Sequence, residues 1–579
     1  MTTFRINPFD RPEIVGTVAD YGTAVTVKVV IDGQTMKHDI MGIELHQFVD
    51  DHHMLKIKLR ETGQVAGDKD IDAAIPYSSF LGKSISLTVT PEGGVVGEAR
   101  ELGFVGLVTH VTIENSIDKI NAGTIVAHSP TVTMDGGKHN AFFRDESATD
   151  IIGSILRKYP ITLGTMDSSS GSLKFSVQHR ETDYEYVMRL ATGSGLFALY
   201  DGKEFRVVKP AAADVEELAW RETLGTFVMG LGTEAAEFSA EVYNYEQKKT
   251  YTQDSKSLSL ESSLSDLTKV APDASKKIYG DSGFTLEPKV ISDAQSLDTI
   301  LKRERSRALG RMMHCTGRSI VPAVASGHSV KIKGMQKMDG TYWVNSVKHI
   351  VEESGRYYNV FECLPLDLAF PQLKSSRPSI SNLQMAVVLD NNDPERLGRV
   401  KVKFPWNDND ETPWVRVMTM HAGKDRGWFC LPEIYDEVMV GYEQGSPDLP
   451  VVLGALYNKD DAPHSEVGDD NNSIKAFMTR SGNKIVLNDT DGEEKISIVA
   501  KDGSQIILNA AGPSITVETG GDITIKGKNI TIESEEELSL KSGTDFNEEA
   551  GAGMKTKASA ACEIEGATVT VKGNPINLN

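Results

Sequence analysis

The sequence is short of cysteine and has no long apolar run, and both shortages exclude classes of protein. Its 579 residues include four cysteines at long spacings, Cys315, Cys363, Cys430 and Cys562. Such spacings do not form a disulfide framework or a metal-binding knuckle, and they fit synthesis in a reducing cytoplasm. No run of about 18 apolar residues occurs, and the first residues, MTTFRINPFDRPEI, have no apolar signal-peptide core. We therefore expect a protein that is made in the cytoplasm without a signal peptide and does not span a membrane.

Basic and aromatic residues are also scarce. Lys and Arg number 61 against 82 Asp and Glu, which gives a formal net charge of −21, and aromatic residues make up 7% of the chain. Residues 464–579 alone carry 19 acidic and 11 basic side chains. Because an acidic surface repels phosphate backbones and anionic lipid headgroups, the composition predicts no nucleic-acid partner and no stable membrane association.

Motifs that carry chemistry are missing or incomplete. There is no P-loop and no dinucleotide-binding fingerprint. GDSG at 280–283 resembles a serine-protease nucleophile motif, but it has no convincing His and Asp partners in the sequence. DND at 408–410 and DTDG at 489–492 lack the terminal glutamate of a calcium loop. We therefore expect no catalytic residue, no metal ligand and no cofactor, and a protein that is not an enzyme.

The most regular stretch of the sequence is at its C-terminal end, where pairs of aliphatic residues separated by one residue recur seven times. The first members of the pairs are 11, 10, 9, 8, 7 and 8 residues apart, and turn residues such as Asp491-Gly492 and Asp502-Gly503 lie between them. An apolar-polar-apolar triplet predicts a short strand with one buried face, and a repeat of about 8 residues leaves room for one strand and one turn. The pairs are Ile485/Leu487, Ile496/Ile498, Ile506/Leu508, Ile515/Val517, Ile523/Ile525, Ile530/Ile532 and Leu538/Leu540.

A ladder of such strands cannot bury its apolar row alone, so the repeat needs neighbours that close a core. The core could be closed in two ways: by one chain that coils through about 20 or more residues per turn, or by several chains that wind together. Because the units are short, we favour three identical chains that each supply one wall, over a one-chain coil and over the edge of an ordinary β-sandwich. The predicted trimer core consists of Ile496, Ile498, Ile506, Leu508, Ile515, Val517, Ile523, Ile525, Ile530, Ile532, Leu538 and Leu540.

The preceding residues predict β structure with a few helices. Asp-Gly pairs at 32–33 and 201–202 predict hairpin turns, and Ser147, Thr182 and Ser292 are expected to start helices, the last through about Arg311. Residues 250–285 have few aromatics and predict a long excursion or linker.

Residues 378–463 predict a compact all-β unit. About five short strands with Gly and Pro turns are typical of a small barrel of the OB type. In GRVKVKFPW (398–406), Val400, Val402 and Phe404 are expected to point inward, and Arg399, Lys401 and Lys403 outward. OB barrels often bind nucleic acid, but no aromatic and basic platform is present, so we favour a connector role.

Several stretches resemble the spike proteins of contractile injection machines, a family that includes the VgrG proteins of type VI secretion, phage baseplate hub-spike proteins and the spikes of extracellular injection particles. NNDPERLGRVKVKFPW (391–406), EVMVGYEQGSPDLPVVLGALYN (437–458) and TRSGNKIVLNDTDGEEKISI (479–498) carry the most specific part of the resemblance. FLGK (80–83), GLVT (106–109), HRETDYEYVMRLATGSGLFALYDG (179–202) and YWVNSVKH (342–349) extend it over the N-terminal half, so that it covers nearly the whole chain.

The resemblance implies a mainly β homotrimer with three parts. Residues 1–377 would form a hub of two related β-barrel subdomains that adapts to a hexameric inner tube protein, residues 378–463 an OB-fold domain, and residues 464–579 a triple-stranded β-helix needle that punctures a target membrane. Implied partners are baseplate proteins, a PAAR-like tip protein and cargo effectors. The assembled phage tail-like particle would be released or delivered extracellularly.

The sequence also departs from some relatives. No lysozyme domain fits between the barrel and the repeat, and no histidine follows His464 to bind iron near the tip, as a His-x-His pair does in others. The apolar residues Pro575, Ile576 and Leu578 predict that a separate tip protein docks there. A trimeric tail fibre for receptor binding or glycan degradation is the alternative function, which the hub motifs before the repeat disfavour. The kind of machine, the target cell and the cargo stay open.

Overall fold

A computed structural model describes residues 22–37, 39–60, 76–92, 101–116, 119–212, 215–257, 265–280, 284–286, 293–372, 379–406, 411–468 and 470–577. Residues up to Ala462 belong to one compact unit and Pro463–Asn579 to a second. Within the described ranges, no helix combines the length and the apolar character that crossing a bilayer requires.

The first unit begins with strands whose side chains alternate between core and surface. On the first strand Val25, Val29 and Ile31 are buried, and Asp32 and Gly33 then turn the chain with positive φ, as the sequence predicts. The strands of this segment are β1 (Thr23–Ile31), β2 (Gln34–Thr35), β3 (Asp39–Phe48), β4 (Met54–Arg60), β5 (Ser84–Pro91), β6 (Leu102–Ser116), β7 (Lys119–His128) and β8 (His139–Phe143).

A small helical layer follows, and its helix starts agree with the sequence. Ser147 accepts a hydrogen bond from the amide of Asp150, and Thr182 forms a capping box with Glu185. Gly195 ends the second helix in the left-handed region. The elements are α1 (Ala148–Leu156), β9 (Leu163–Met166), β10 (Ser176–Glu181), α2 (Asp183–Ser194), β11 (Phe197–Tyr200) and β12 (Phe205–Val208), and the last two strands pair around the predicted turn at 201–202.

The rest of the hub corrects two expectations. Residues 250–285 are not an unstructured excursion, because they contain a strand end, a helix and a short strand; Pro272 lies in the first turn of that helix, where its missing N–H costs no hydrogen bond. The next helix is capped by Asp293, whereas Ser292 lies outside the described residues. The elements are β13 (Glu216–Ala219), β14 (Leu224–Leu231), β15 (Ser239–Asn244), β16 (Lys249–Asp254), α3 (Val270–Tyr279), β17 (Phe284–Leu286), α4 (Ala294–Arg311), β18 (Met313–Ser319), β19 (Ser329–Lys333), β20 (Gly340–Glu352) and β21 (Arg356–Pro365).

Two groups of strands share the long hairpin β20–β21. The pairings β3-β4-β7-β6-β5-β1-β21-β20-β3 close into a ring around a core that includes Leu45, Leu55 and Ile57. The pairings β13-β19-β20-β21-β18-β14 surround a second core that includes Val344 and Phe361. The expectation of barrel-like β domains with a few helices is confirmed; the hub boundary at 377 and the relation between the two barrels stay predictions.

The expected five-stranded barrel is also present. Its pairing order is β22-β23-β24-β28-β27 and it closes on itself, with Val388, Val400 and Val440 fully buried inside. Arg399 departs from the expectation, because it is buried rather than exposed. The strands are β22 (Gln384–Asp390), β23 (Arg399–Lys403), β24 (Val415–Val417), β25 (Ala422–Gly423), β26 (Arg426–Gly427), β27 (Glu437–Tyr442) and β28 (Pro450–Ala455).

The second unit contains an antiparallel meander of five-residue strands. Its order follows the chain: β29 (Ile474–Met478), β30 (Lys484–Asn488), β31 (Lys495–Val499), β32 (Gln505–Asn509) and β33 (Ser514–Glu518). Residues 519–577 contain no strand in this single chain.

Candidate assembly surface

The register of β29–β33 places the aliphatic doublets side by side. Ile485 lies opposite Ile498, Ile498 opposite Ile506, and Ile506 opposite Val517. A second row runs through Leu487, Ile496, Leu508 and Ile515. Because directly opposite residues of antiparallel strands point to the same face, the two rows form one apolar surface, which we name the doublet face. It consists of Phe477, Ile485, Leu487, Ile496, Ile498, Ile506, Leu508, Ile515 and Val517.

The doublet face is exposed in the single chain. Its six residues on β30, β31 and β32 are 41–47% exposed, and Ile515 and Val517 are 73% and 56% exposed. Of the residues that alternate with them, Asn488 and Ser497 are buried, and the others are half-buried or exposed. Monomeric soluble proteins rarely leave a contiguous apolar surface of this extent open, so the doublet face has the character of an interface.

The first strand of the meander, β29, adds one residue to the doublet face that the sequence pattern did not identify. Phe477 extends the first row opposite Ile485, but the position opposite Leu487 is Lys475, which pairs with Asp489 at 3.1 Å. The doublet search missed Phe477 because a lysine stands where the second aliphatic residue belongs. A search for single aromatic or aliphatic residues in register would have found it.

The last three doublets and the proposed tip residues lie in the stretch without strands. The six doublet residues are 53–71% exposed, and Ile576 is 46% exposed; Leu578 lies outside the described residues. The six are Ile523, Ile525, Ile530, Ile532, Leu538 and Leu540. Doublet steps of 7 or 8 residues leave too little chain to build hairpins with five-residue strands like β30–β33, so these doublets have no strand partner within one chain.

Covering these residues would release substantial free energy. Full burial of an aliphatic side chain is worth about 1.5–3 kcal/mol, so moving a dozen half-exposed ones out of water would contribute on the order of 10 kcal/mol per chain. That is enough to hold an oligomer together and to order a stretch that has no strands alone.

A second arrangement fixes the barrel to the hub within the first unit. Arg399 at the start of β23 makes two hydrogen bonds to the carboxylate of Asp393, of 2.8 and 2.9 Å, and both side chains are buried. These hydrogen bonds lower the pKa of Asp393 to about 2. The same guanidinium lies 3.4 Å from Glu246 in the loop between β15 and β16, so a buried charge of the barrel is shared with the hub.

Other contacts join the same two parts. The amide of Val177 on β10 donates to Asp448 at 2.9 Å, and the Arg416 guanidinium stacks 4.6 Å from the Tyr245 ring. Phe142 on β8 meets Trp406 edge to face. We name the set around Arg399, Asp393, Glu246, Asp448 and Tyr245 the hub–barrel joint. Nothing in the sequence patterns pointed to it, although Asp393 and Arg399 both lie in the stretch that carries the family resemblance.

Asp135, His52 and Thr131 are connected as the acid, base and hydroxyl of a catalytic triad would be. His52 Nε2 lies 2.8 Å from Asp135, and His52 Nδ1 lies 2.7 Å from the hydroxyl of Thr131. That hydroxyl belongs to a residue that is 1% exposed and is also 2.7 Å from Ser129 Oγ, so it is closed to a substrate. The geometry gives these residues a structural role between the β3–β4 turn and the 130–135 turn.

In the described parts of the chain, no three His, Cys, Asp or Glu side chains lie close enough together to bind a metal ion. The GDSG and DND motifs lie largely or wholly outside the described residues. DTDG at 489–492 forms the β30–β31 turn, and its Asp489 is occupied by Lys475.

Family models match both parts of the first unit. The model described as phage tail baseplate hub (GPD) matches residues 56–355, which is more than half of the chain. The model described as type VI secretion system/phage-baseplate injector OB domain matches residues 384–457. That second match begins and ends with the closed barrel β22–β28.

Relatives of known description are distant. The type VI secretion system spike protein VgrG1c of Pseudomonas aeruginosa is 22% identical over 490 residues, which cover 75% of this chain and 64% of the relative. The actin cross-linking toxin VgrG1 of Vibrio cholerae is 24% identical over 465 residues, which cover 72% of this chain and 41% of that protein. The chain thus spans less than two thirds of the length of these relatives.

Solved structures share the fold. The E. coli c3393 protein, described as a type VI secretion component similar to the T4 bacteriophage tail proteins gp27 and gp5, aligns with a TM-score of 0.51 and 14% identity over 74% of this chain and all of that chain. A chain of the half-lidded Francisella PdpA-VgrG complex aligns with a TM-score of 0.56 and 8% identity over 86% of this chain and 88% of that one.

Proposed function

We infer a mechanical function from a premise that the hub supplies: the chain belongs to the phage tail baseplate hub family. It resembles the VgrG and baseplate hub-spike proteins both in the hub and in the OB domain that follows. We propose that three copies assemble into the spike of a contractile injection machine. In this spike the hub adapts to a hexameric inner tube, the barrel connects hub to needle, and residues 464–579 form the needle that punctures a target membrane.

The observation that carries this proposal is the exposed doublet face. A single chain aligns nine apolar side chains in two rows and leaves them in water, and further doublets continue after the last strand without any partner. Three chains winding together would give each row a dry core and give residues 519–577 the strand partners they lack. A rod closed by interchain hydrogen bonds resists bending, which is what a puncturing needle requires.

The solution mass of the purified chain tests the proposal. We expect light scattering to give three times 63.1 kDa, and an unboiled SDS gel to retain the oligomer. A folded monomer would mean that the doublets are covered within one chain, and it would remove the needle and the function built on it.

The hub–barrel joint supports the mechanical proposal at its other end. Thrust that arrives through the inner tube must pass through the hub and the barrel, and a buried ion pair that also contacts the hub resists sliding between them better than an apolar contact does. Baseplate proteins and the tube protein are the partners expected around the hub.

We propose that a PAAR-like tip protein docks on the apolar residues near the end of the sequence, Pro575, Ile576 and Leu578. Ile576 is half exposed and offers a contact for such a partner. Deleting residues 573–579 should abolish co-purification of the tip protein while the trimer mass stays the same. Unchanged binding would place the tip contact elsewhere.

We propose that the chain is not itself an enzyme and that toxicity, where it occurs, belongs to cargo or to added domains. One relative is described as an actin cross-linking toxin, but this chain covers 41% of it. Assembly in the cytoplasm and delivery out of the cell as part of a phage tail-like particle follow from the spike function, without a cofactor, a nucleic acid or a stable membrane contact.

A further inference from the structure

Two cysteines that are far apart in the sequence face each other in the second core of the hub. Cys315 on β18 lies directly opposite Cys363 on β21 in the antiparallel ladder. Both are reduced in this structure, and both are fully buried. The other two cysteines, Cys430 and Cys562, are exposed and lie elsewhere.

The backbone geometry suits a bond between them. Directly opposite residues of antiparallel strands have Cα atoms about 4.5–5.5 Å apart, inside the roughly 4.4–6.8 Å that disulfides span. Their side chains point to the same face of the sheet, since opposite residues always do. Burial, and next the adjacent Cys315 thiol, raise the pKa of Cys363 above its usual value.

We propose that Cys315 and Cys363 are a latent cross-strand disulfide, which stays reduced in the cytoplasm and closes when a peroxide reaches the hub. The thiolate of one cysteine attacks hydrogen peroxide, breaks the O–O bond and becomes a sulfenic acid while water is released. The second thiol attacks the sulfenic sulfur, forms the S–S bond and releases a second water. Two thiols are thereby oxidised and one peroxide is reduced to two waters.

The surroundings set the rate of this reaction. A raised pKa keeps the thiolate population low, so oxidation is slow at neutral pH and faster in alkali. Burial excludes large disulfide reagents, whereas a peroxide is little larger than water. Slow oxidation in a reducing cytoplasm therefore leaves both thiols free until the particle leaves the cell.

The position of the pair gives the bond a mechanical consequence. β21 belongs to both groups of strands, and β18 connects it to β14 at the end of the second group. A bond there would tie β18 to β21 within the second group and link two residues that are 48 positions apart in the sequence, which lowers the entropy of the unfolded chain. The proposed function enters this inference at one point only: it is export in a particle that would expose the pair to peroxide.

The experiment uses the full chain with Cys430→Ser and Cys562→Ser, so that only the buried pair can react. Purified protein is treated with hydrogen peroxide at pH 7 and pH 9, then alkylated in denaturant and measured as intact mass. We expect a product that has lost two hydrogen atoms and takes up no alkyl group, formed faster at pH 9. A tryptic map should show one linked peptide pair, and the thermal midpoint of the hub should rise by a few degrees and return after dithiothreitol.

The matched control adds Cys363→Ala, which leaves Cys315 alone and should give no loss of hydrogen and no rise in midpoint. Addition of oxygen atoms to the two thiols separately, or a linked pair that forms only in denaturant, would overturn the proposal. Because the readouts are mass and melting of the hub, they are independent of whether the chain forms a spike.

Discussion

The OB barrel and the C-terminal meander use the same alternation for opposite purposes. In β23 Val400 and Val402 are fully buried inside a barrel that the chain closes by itself. In β31 Ile496 and Ile498 follow the same apolar-polar-apolar pattern, yet they are 43% and 47% exposed. Periodicity thus predicts which residues share a face, whereas it does not say which polypeptide covers that face.

The difference lies in closure. Five strands that curve back on themselves pair their edges and bury their inner face, so the barrel is complete in one chain. The meander follows the chain in strict order and leaves both β29 and β33 at open edges. An open sheet with one apolar face leaves that face without a cover, and in the proposed trimer the other two copies would supply it.

Placing charge on the doublet face should have the largest effect, because it removes the property by which the meander differs from the barrel. Ile515→Asp with Val517→Asp would bury six carboxylates in a trimer, each at a cost of several kcal/mol. We expect complete loss of the trimer in light scattering, with the chain at its monomer mass. The first unit should stay folded, and it can be followed by fluorescence alone, since all five tryptophans precede residue 463.

The control for that variant is Thr516→Asp, between the two residues on the other face of the same strand. It adds one carboxylate per chain, whereas the double variant adds two, and it should leave the trimer intact because Thr516 points away from the doublet face. If both variants gave monomers, the charge rather than the face would be responsible, and the doublet face would lose its assigned role.

The two units should also differ in their response to acid. His53 and His349 lie fully buried in the hub, and the pKa of each is lowered to about 3. Burial is the main cause for both, the Phe48 carbonyl opposes the shift at His53, and neighbouring histidines add to it. The second unit contains a single histidine, His464. The folded hub keeps both imidazoles neutral, whereas the unfolded chain binds protons below about pH 6.5. The stabilisation is therefore complete above pH 6.5 and is lost as the pH falls towards 3.

Each imidazole contributes a slope that approaches about 1.4 kcal/mol per pH unit below pH 6.5, so the free energy of hub unfolding should fall by about 3 kcal/mol from pH 6.5 to pH 5. Urea titrations followed by tryptophan fluorescence measure it. His349→Gln, which does not titrate, should halve the slope despite lowering the stability itself. An unchanged slope would mean that His349 is protonated in the folded hub.

Sequence reasoning succeeded where a local cause determines the structure. The caps at Ser147 and Thr182, the Asp-Gly turns and the alternation of β23 each act within a few residues, and all of them are present. The helix α3 was missed because Pro272 argued against a helix in VAPDASKKIY, whereas Pro272 lies in the first turn, where a proline is tolerated.

Features that depend on distant residues could not be read from the sequence. Cys315 and Cys363 meet only because β18 and β21 pair, and Arg399 is buried only because Asp393 and Glu246 meet it. An outward position was the reasonable prediction for Arg399, since its neighbours Val400 and Val402 point inward. The alternation held at the backbone, and the burial of Arg399 came from the hub packed outside the barrel.

The smallest expected effect is a difference in stability loss between neutralising a buried carboxylate of the barrel, Asp393, and neutralising a half-exposed one, Glu443. Asp393→Asn removes the charge that Arg399 faces in a buried bidentate pair, and breaking such a pair typically costs about 3 kcal/mol because an uncompensated charge stays buried. Glu443→Gln neutralises the partner of Arg416 in a half-exposed pair at 2.7 Å and should cost less than about 1 kcal/mol. Urea unfolding followed by tryptophan fluorescence, with Trp406, Trp414 and Trp428 in the barrel, measures both.

Equal effects of the two substitutions would mean that Glu246 alone holds Arg399 in place. In that case the joint would depend on the hub's own carboxylate, and Glu246→Gln should then show the larger loss. A loss of unfolding free energy that is much larger for Asp393→Asn than for Glu443→Gln would instead identify the buried ion pair as the contact that stabilises the barrel at the hub–barrel joint. Stability of the doublet face should be untouched by any of the three, since all three substitutions lie in the first unit.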